Sequence, residues 1–314
     1  MAKKVVTALE TLRVEEIFNK KGWEKKENEK ISLYENYLNR LSLLPTDTRD
    51  LFFDLTDNFE NITFNDIIQR IKDSYNLIDH DYINKFRKIY FMPLIEQIPI
   101  YENKSRYKIF NWIYRVLGTN KKTYKERPER KSGERLLSLF EIEYRELFGA
   151  EKFIFPKSYS KFKEQFSNKD LIILVDDYVG TGDTAKDVLN FYLKYEKFNK
   201  KNVLILSIAA QFHGINRVKE EFGVRIISKI ERGKYLVDNF SDDILKEKRD
   251  KIATMCEALK IKNDYFGYGD SEALICILNK SLNNTFPVFW YETKSYPAPF
   301  PRSKVYKNFN KTKL

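Results

Sequence analysis

Cysteine and histidine are scarce in this chain: Cys256, Cys276, His80 and His213 are all that occur among 314 residues. Two cysteines exclude a disulfide framework and fit a reduced, cytoplasmic setting. The histidines lie far apart, and no Cys/His cluster has the spacing of a zinc site. No apolar run approaches the roughly 18 residues of a membrane span. The opening MAKKVVTALETLRVEE lacks the apolar stretch of a secretion signal, so no membrane association is expected. Gly-Lys-Thr and Gly-Lys-Ser are absent as well, which excludes a Walker loop.

What is present is enough for a sizeable core: 42% of residues are hydrophobic and 32% charged. The length predicts about two domains. We divide the chain into a helical region, residues 1–80, and an α/β domain, residues 81–314. The net charge of +11 fits either an affinity for nucleic acid or a lysine-rich surface with no such role.

The segment LIILVDDYVGTGDT, residues 171–184, carries the most chemistry. Leu171 to Val175 read as a strand buried on both faces, hence within a parallel sheet. Asp176 and Asp177 then fall beyond its carboxyl end, where ligands of such sheets bind. Gly180 and Gly182 allow a tight turn and close approach to a ligand. Thr181 and Thr184 add hydroxyl donors, and the amides of residues 181–184 open a helix suited to an anion. Asp183 sits among them, either facing the site or stabilising the helix N-terminus. The acidic pair would repel an anion in the loop. It suits vicinal sugar hydroxyls beside the loop, or Mg²⁺ bridging a sugar and a diphosphate. A ribose phosphorylated at its 5-position meets all of these demands. The dinucleotide fingerprint is the nearest rival, because GTGDTA fits it with Ala185 in the third glycine position. Its ribose-binding acid follows the glycines, however, whereas here the acids precede them.

These same residues resemble the 5-phosphoribosyl-1-diphosphate (PRPP) motif of type I phosphoribosyltransferases: Val175, Asp176, Asp177, Thr181, Gly182 and Thr184 match. The resemblance implies a phosphoribosyltransferase-like parallel sheet, with Asp176 and Asp177 near the ribose hydroxyls as the catalytic pair. It implies Gly180, Thr181, Gly182, Asp183 and Thr184 around the 5-phosphate, and Mg²⁺ brought with PRPP. Purine-using members carry a carboxylate just before the Thr-Gly pair; here Gly180 stands there, which argues against purine salvage. The later segment YFGYGDSEALICILNKSLNNTFPVFW is similar to phosphoribosyltransferase-like proteins of bacterial conflict and defence operons, including retron systems. That resemblance implies a defence effector transferring or cleaving at ribose C1. The alternative is a non-catalytic nucleotide-sensing module that engages a protein or nucleic acid.

Along the chain, residues 1–80 show helical spacing throughout, with Thr63 as a cap before FNDIIQR and a break at Pro45. These helices either pack on the core or offer a surface to a partner protein. KIYFMPLI predicts the first core strand, and residues 105–118 an aromatic-rich helix. Between them the family's diphosphate loop is expected; Lys104 and Arg106 are present, but no glycine turn. Residues 120–135 hold seven Lys or Arg against three Glu, as a solvated loop, a hood over the substrate or a contact to nucleic-acid phosphates. A helix over 134–149 follows. EKFIFP, NVLILSIAA, VRIISKI and EALICIL predict further strands, and alternation with helices implies a parallel α/β sheet. SDDILKEKRDKIATMCEALKI reads as a helix capped by Ser241. Phe286, Phe289 and Trp290 suit core packing better than stacking on a base, and Arg302 in the proline-rich tail is a candidate phosphate contact.

Overall fold

In a computed structural model of the protein, the described residues are 4–23, 32–95, 132–147, 152–156, 159–194, 198–278, 280–292 and 298–302. The helix expected over 105–118, Lys104 and Arg106, and residues 120–131 of the basic segment lie outside them. The chain opens with α1 (Ala8–Lys21), α2 (Leu33–Leu43) and α3 (Arg49–Asp57). Thr7 and Glu10 form a reciprocal capping box at the start of α1, and Gly22, at φ +65°, ends it. Strand β1 (Glu60–Ile62) interrupts the stretch expected to be helical, followed by α4 (Phe64–Tyr75) and α5 (His80–Asn84). Thr63 caps α4: its backbone N–H and hydroxyl both donate to Asp66 Oδ2, at 3.0 and 2.7 Å.

The core alternates strand and helix: β2 (Ile89–Pro93), α6 (Ser132–Leu147), β3 (Phe153–Ile154), α7 (Tyr159–Gln165), β4 (Leu171–Val179), α8 (Asp183–Tyr192), β5 (Val203–Gln211), α9 (Phe212–Phe222) and β6 (Arg225–Arg232). The five strands are parallel and ordered β3-β2-β4-β5-β6. This is the α/β fold expected of a phosphoribosyltransferase-like core. Because β2 lies between β3 and β4, the chain reverses direction across the sheet at the β2/β4 boundary, a topological switch point. Helix α6 begins at Ser132, so the basic segment does not remain a loop through residue 135.

One face of the sheet, with Ile173, Val175, Leu204 and Leu206, packs on Ile67, Ile71, Leu136 and Phe140 of α4 and α6. The other, with Ile172, Leu174 and Ile205, packs on Val188, Leu189 and Val218 of α8 and α9. Burial on both faces explains the unbroken apolar runs. After β6 come α10 (Asp242–Ala258), β7 (Ile275–Ile277) and β8 (Lys280–Ser281). The strand expected in EALICIL therefore forms, but in a second sheet, ordered β1-β7-β8, where it pairs in parallel with β1.

A third core joins the N-terminal helices to the segment after β6. Phe52 stacks on Phe289 at 5.0 Å between ring centroids, Phe59 lies 4.6 Å from Phe289, and Phe59 stacks on Phe300 at 4.5 Å. Phe286 and Phe289 are fully buried, as core packing requires. The buried Arg40 donates to the backbone oxygen of Tyr291, tying α2 to the same segment. Phe289→Ala is expected to cost about 3–5 kcal/mol, read as a lowered urea midpoint.

At the start of β4, the carboxylate of Asp170 is buried and receives Nε and Nη2 of Arg87, both at 3.0 Å, and the Ser167 N–H at 2.8 Å. Burial alone would raise this carboxyl; the hydrogen bonds from Arg87 and Ser167 outweigh it and hold the group below its ordinary value of 3.8. A lowered folded pKa means that the stabilisation is complete above 3.8 and is lost as pH falls through the folded value. Asp170→Asn should therefore cost about 2 kcal/mol at pH 7. In urea titrations its gap from wild type should narrow as pH falls below 3.8 and through the lowered folded value.

Candidate functional site

Strand β4 runs four residues further than LIILV, through Asp176 and Asp177 to Val179. The expectation that the acids lie beyond the strand is corrected: they lie within it. They reach a ligand because the neighbour is shorter. β2 ends at Pro93, opposite Val175, and the last tie on that side is Leu94 N–H to the Val175 carbonyl at 2.8 Å. β5 continues alongside as far as the Val179–Ala210 pair. Among the described residues, 176–179 thus form an overhang whose strand pairing is with β5 alone.

The pleat also changes there. Leu171, Ile173 and Val175 face one core while Ile172 and Leu174 face the other; past the acids, Tyr178 joins the first group and Val179 the second. This reversal turns the acidic pair relative to the strand below it. Asp176 is 9% exposed, and its Oδ1 accepts the Asp177 N–H at 2.9 Å. Gly133 in the first turn of α6 approaches the same point: a Cβ there would stand 3.0 Å from the Val175 carbonyl oxygen and 3.3 Å from Asp176 Oδ1.

The turn after β4 is held by backbone contact. Gly182, at φ +82°, takes the left-handed conformation that glycine adopts without strain, and α8 starts at the next residue. Gly214, in the first turn of α9, meets the loop directly; a Cβ there would lie 2.2 Å from the Gly180 carbonyl oxygen. One turn along α9, Arg217 Nη1 donates to the Thr181 carbonyl at 3.0 Å and to Asp183 Oδ1 at 2.7 Å. Asp183 Oδ2 receives the Thr181 hydroxyl at 2.7 Å and the Tyr268 hydroxyl at 3.4 Å. Hydrogen bonds from Thr181 and Arg217 hold the Asp183 carboxyl below its ordinary range, against opposing burial. The Asp183 carboxylate lines the cavity and also braces the loop: it is engaged by Thr181, Arg217 and Tyr268 and depressed, which makes it a weak base.

All seven predicted residues, Asp176, Asp177, Gly180, Thr181, Gly182, Asp183 and Thr184, line one cavity of about 470 Å³. Tyr268, Lys280, Asn284 and Arg302 line the same cavity. Arg302 lies 5.2 Å over the Trp290 ring, and burial lowers its pKa. Lys280 and Arg302 give the cavity two cations, and the first amides of α8, which have no intrahelical acceptor, give it anion donors. A ligand carrying both an anionic group and adjacent hydroxyls matches this division of charge. Thiol chemistry does not: burial pushes Cys276 up to about 12 and Cys256 higher. A separate cavity of about 350 Å³ opens at the carboxyl ends of β5 and β6 and shares only Tyr178 with the first.

Reading the sequence missed Arg217, Tyr268 and Lys280. No local signal marks Arg217, a single arginine on an amphipathic helix. Gly214 did carry one, because a glycine inside a helix costs roughly 1 kcal/mol and signals close packing. Among the described residues no group of three or more His, Cys, Asp or Glu is arranged to hold a metal ion. No helix among them is long and apolar enough to cross a membrane.

Gly214→Ala should push on the Gly180 carbonyl and destabilise the protein by about 1–3 kcal/mol, measured as a lowered urea midpoint; Gly22→Ala, with open space around it, should show only the smaller cost of its positive φ.

A family model described as PRTase-CE matches residues 35–302, a span that takes in every residue lining the 470 Å³ cavity. Comparison with curated proteins gives no match, and comparison with solved structures gives none.

Proposed function

The chain belongs to the PRTase-CE family, a phosphoribosyltransferase-like family, and on that premise we propose that the cavity at the end of β4 holds PRPP or a nucleotide by its ribose-5-phosphate. The 5-phosphate sits on the amides of residues 181–184, with Thr184 exposed at the mouth. The ribose hydroxyls donate to Asp176 and Asp177. The observation that carries this reading is the convergence of all seven motif residues on one cavity at the switch point of a parallel sheet.

Mg²⁺ fits this arrangement only as an ion carried largely by the ligand. Two adjacent carboxylates, with no third metal-ligating acid, His or Cys grouped with them among the described residues, are typical of Mg²⁺ that keeps waters and substrate oxygens. It would supply charge neutralisation of a diphosphate. The chain's own part is to orient the ribose through Asp176 and Asp177 and to fix the phosphate, which is positioning and electrostatic work. In the active form of the proposal, the protein transfers or cleaves at ribose C1 as a defence effector.

A second reading, a nucleotide-sensing module without turnover, has its own support. The loop's third carboxylate, Asp183, is committed to Arg217 and Thr181. Val5, Leu9 and Leu12 also expose 85%, 78% and 55% of their surface near the start of α1, a face suited to a protein partner. The basic segment 120–135 is the corresponding candidate for nucleic acid.

Calorimetry with PRPP and Mg²⁺, run beside an assay for diphosphate release, separates the two readings. Wild type is expected to bind, and Asp176→Asn with Asp177→Asn to weaken binding at least tenfold (~1.4 kcal/mol). Diphosphate release lost in the double variant indicates the enzyme; binding without release indicates the sensor. Absence of binding to PRPP, ribose 5-phosphate and nucleotides would refute both.

A further inference from the structure

Position 180 sits between the acids and the anion loop, and its glycine leaves a space that another part of the chain fills. A Cβ on Gly180 would stand 2.4 Å from Nδ2, 2.7 Å from Cγ and 2.9 Å from Oδ1 of Asn284. The amide therefore lies flat over the Gly180 backbone, where a loop side chain would otherwise project. Asn284 arrives from the turn after β8 and is held in place at several points. Its carbonyl accepts the Ala273 N–H at 3.1 Å, and Nδ2 donates to Ser271 Oγ at 2.7 Å. Ser271 is anchored in turn, its hydroxyl on the Tyr268 carbonyl and its own carbonyl on Gln211 Nε2 at 2.6 Å. Gly267, at φ +80°, permits the approach, since a Cβ there would fall 2.1 Å from the Asn284 carbonyl oxygen. Asn284 is 7% exposed and lines the cavity. Ser271 takes one of its amide hydrogens; the second hydrogen and the side-chain oxygen are the groups it has for a ligand.

Resting on the phosphoribosyl reading of this cavity, we propose that Asn284 is a specificity-determining residue whose amide contacts the sugar ring of the bound ligand. A ligand with its phosphate at 181–184 and its hydroxyls at Asp176 and Asp177 must pass over Gly180, and so against Asn284. The contact is neutral by construction. An amide hydrogen-bonds to a ring or to a departing or arriving group, but it neither removes a proton nor balances a positive charge. Position 180 thus exchanges a loop side chain for a buried amide delivered from a distant turn.

The proposal is tested with two ligands that differ only at the ring atom: 1,4-anhydroribitol 5-phosphate, with a neutral oxygen, and 1,4-imino-ribitol 5-phosphate, with a protonated nitrogen. Calorimetry on wild type should show both binding. Asn284→Asp puts a carboxylate against the ring and should raise the preference for the cationic ligand at least tenfold. Asn284→Ala should weaken both ligands together by about tenfold (~1.4 kcal/mol), with the preference unchanged. A residue that merely braces the turn would shift both affinities alike, so an unchanged preference in Asn284→Asp, with wild type binding normally, overturns the proposal and leaves the phosphoribosyl reading intact. If thermal melting shows that Asn284→Asp does not fold, Asn284→Ala decides, and full affinity in it overturns the proposal. Wild type binding neither ligand overturns both.

Discussion

Between Gly214 and the carbonyl of Gly180 there is no room for a methyl group, and much of the site depends on that closeness. The contact seats the first turn of α9 directly on the loop that follows β4. It brings Arg217 within reach of the Thr181 carbonyl and the Asp183 carboxylate. It presses the loop from below while Asn284 presses from above, so residues 180–182 are clamped between a helix backbone and a buried amide. The turn is thus already shaped, and a ligand bound there would not spend binding energy on ordering it.

Charge is distributed to match. Asp183 is the one acid inside the anion loop, and it is neutralised by Arg217 at 2.7 Å and engaged by two hydroxyls, so its repulsion of an incoming anion is reduced. Asp176 and Asp177 stand beside the loop, on a strand overhang opened by the shortness of β2. Lys280 and Arg302 come from the far wall. Acids and cations thus reach the cavity from different parts of the chain, an arrangement that one strand–turn–helix unit cannot make alone.

The second sheet and the aromatic core explain how the far wall is held. β7 pairs with β1, and Phe286, Phe289 and Phe300 are buried against Phe52 and Phe59. The N-terminal helices thus support the segment carrying Tyr268, Lys280, Asn284 and Arg302. Several residues of that segment adopt the left-handed backbone, among them Asp270 at φ +49° and Glu272 at φ +51°. Glu272 is fully buried and offsets that strain by accepting the backbone N–H groups of Leu236 and Val237 and an Arg249 hydrogen bond.

The sheet was legible because strands covered on both faces are apolar over long runs, as in Leu171–Val175 and Val203–Leu206, and such runs need no partner to be recognised. The turn after β4 was legible too, since a left-handed turn before a helix calls for glycine at 182. β1 was not: Glu60-Asn61-Ile62 has no strand signature, and it is extended only because β7 offers it a parallel edge. Nor did LIILV reveal that the strand continues through two carboxylates, because that depends on β5 outlasting β2. Local sequence thus determined a parallel sheet and a turn suited to a phosphorylated sugar. Only the tertiary structure decided which distant side chains meet that turn, since the approach of Arg217, Tyr268 and Asn284 is set by packing between residues 34 to 104 positions apart, separations that local periodicity cannot register.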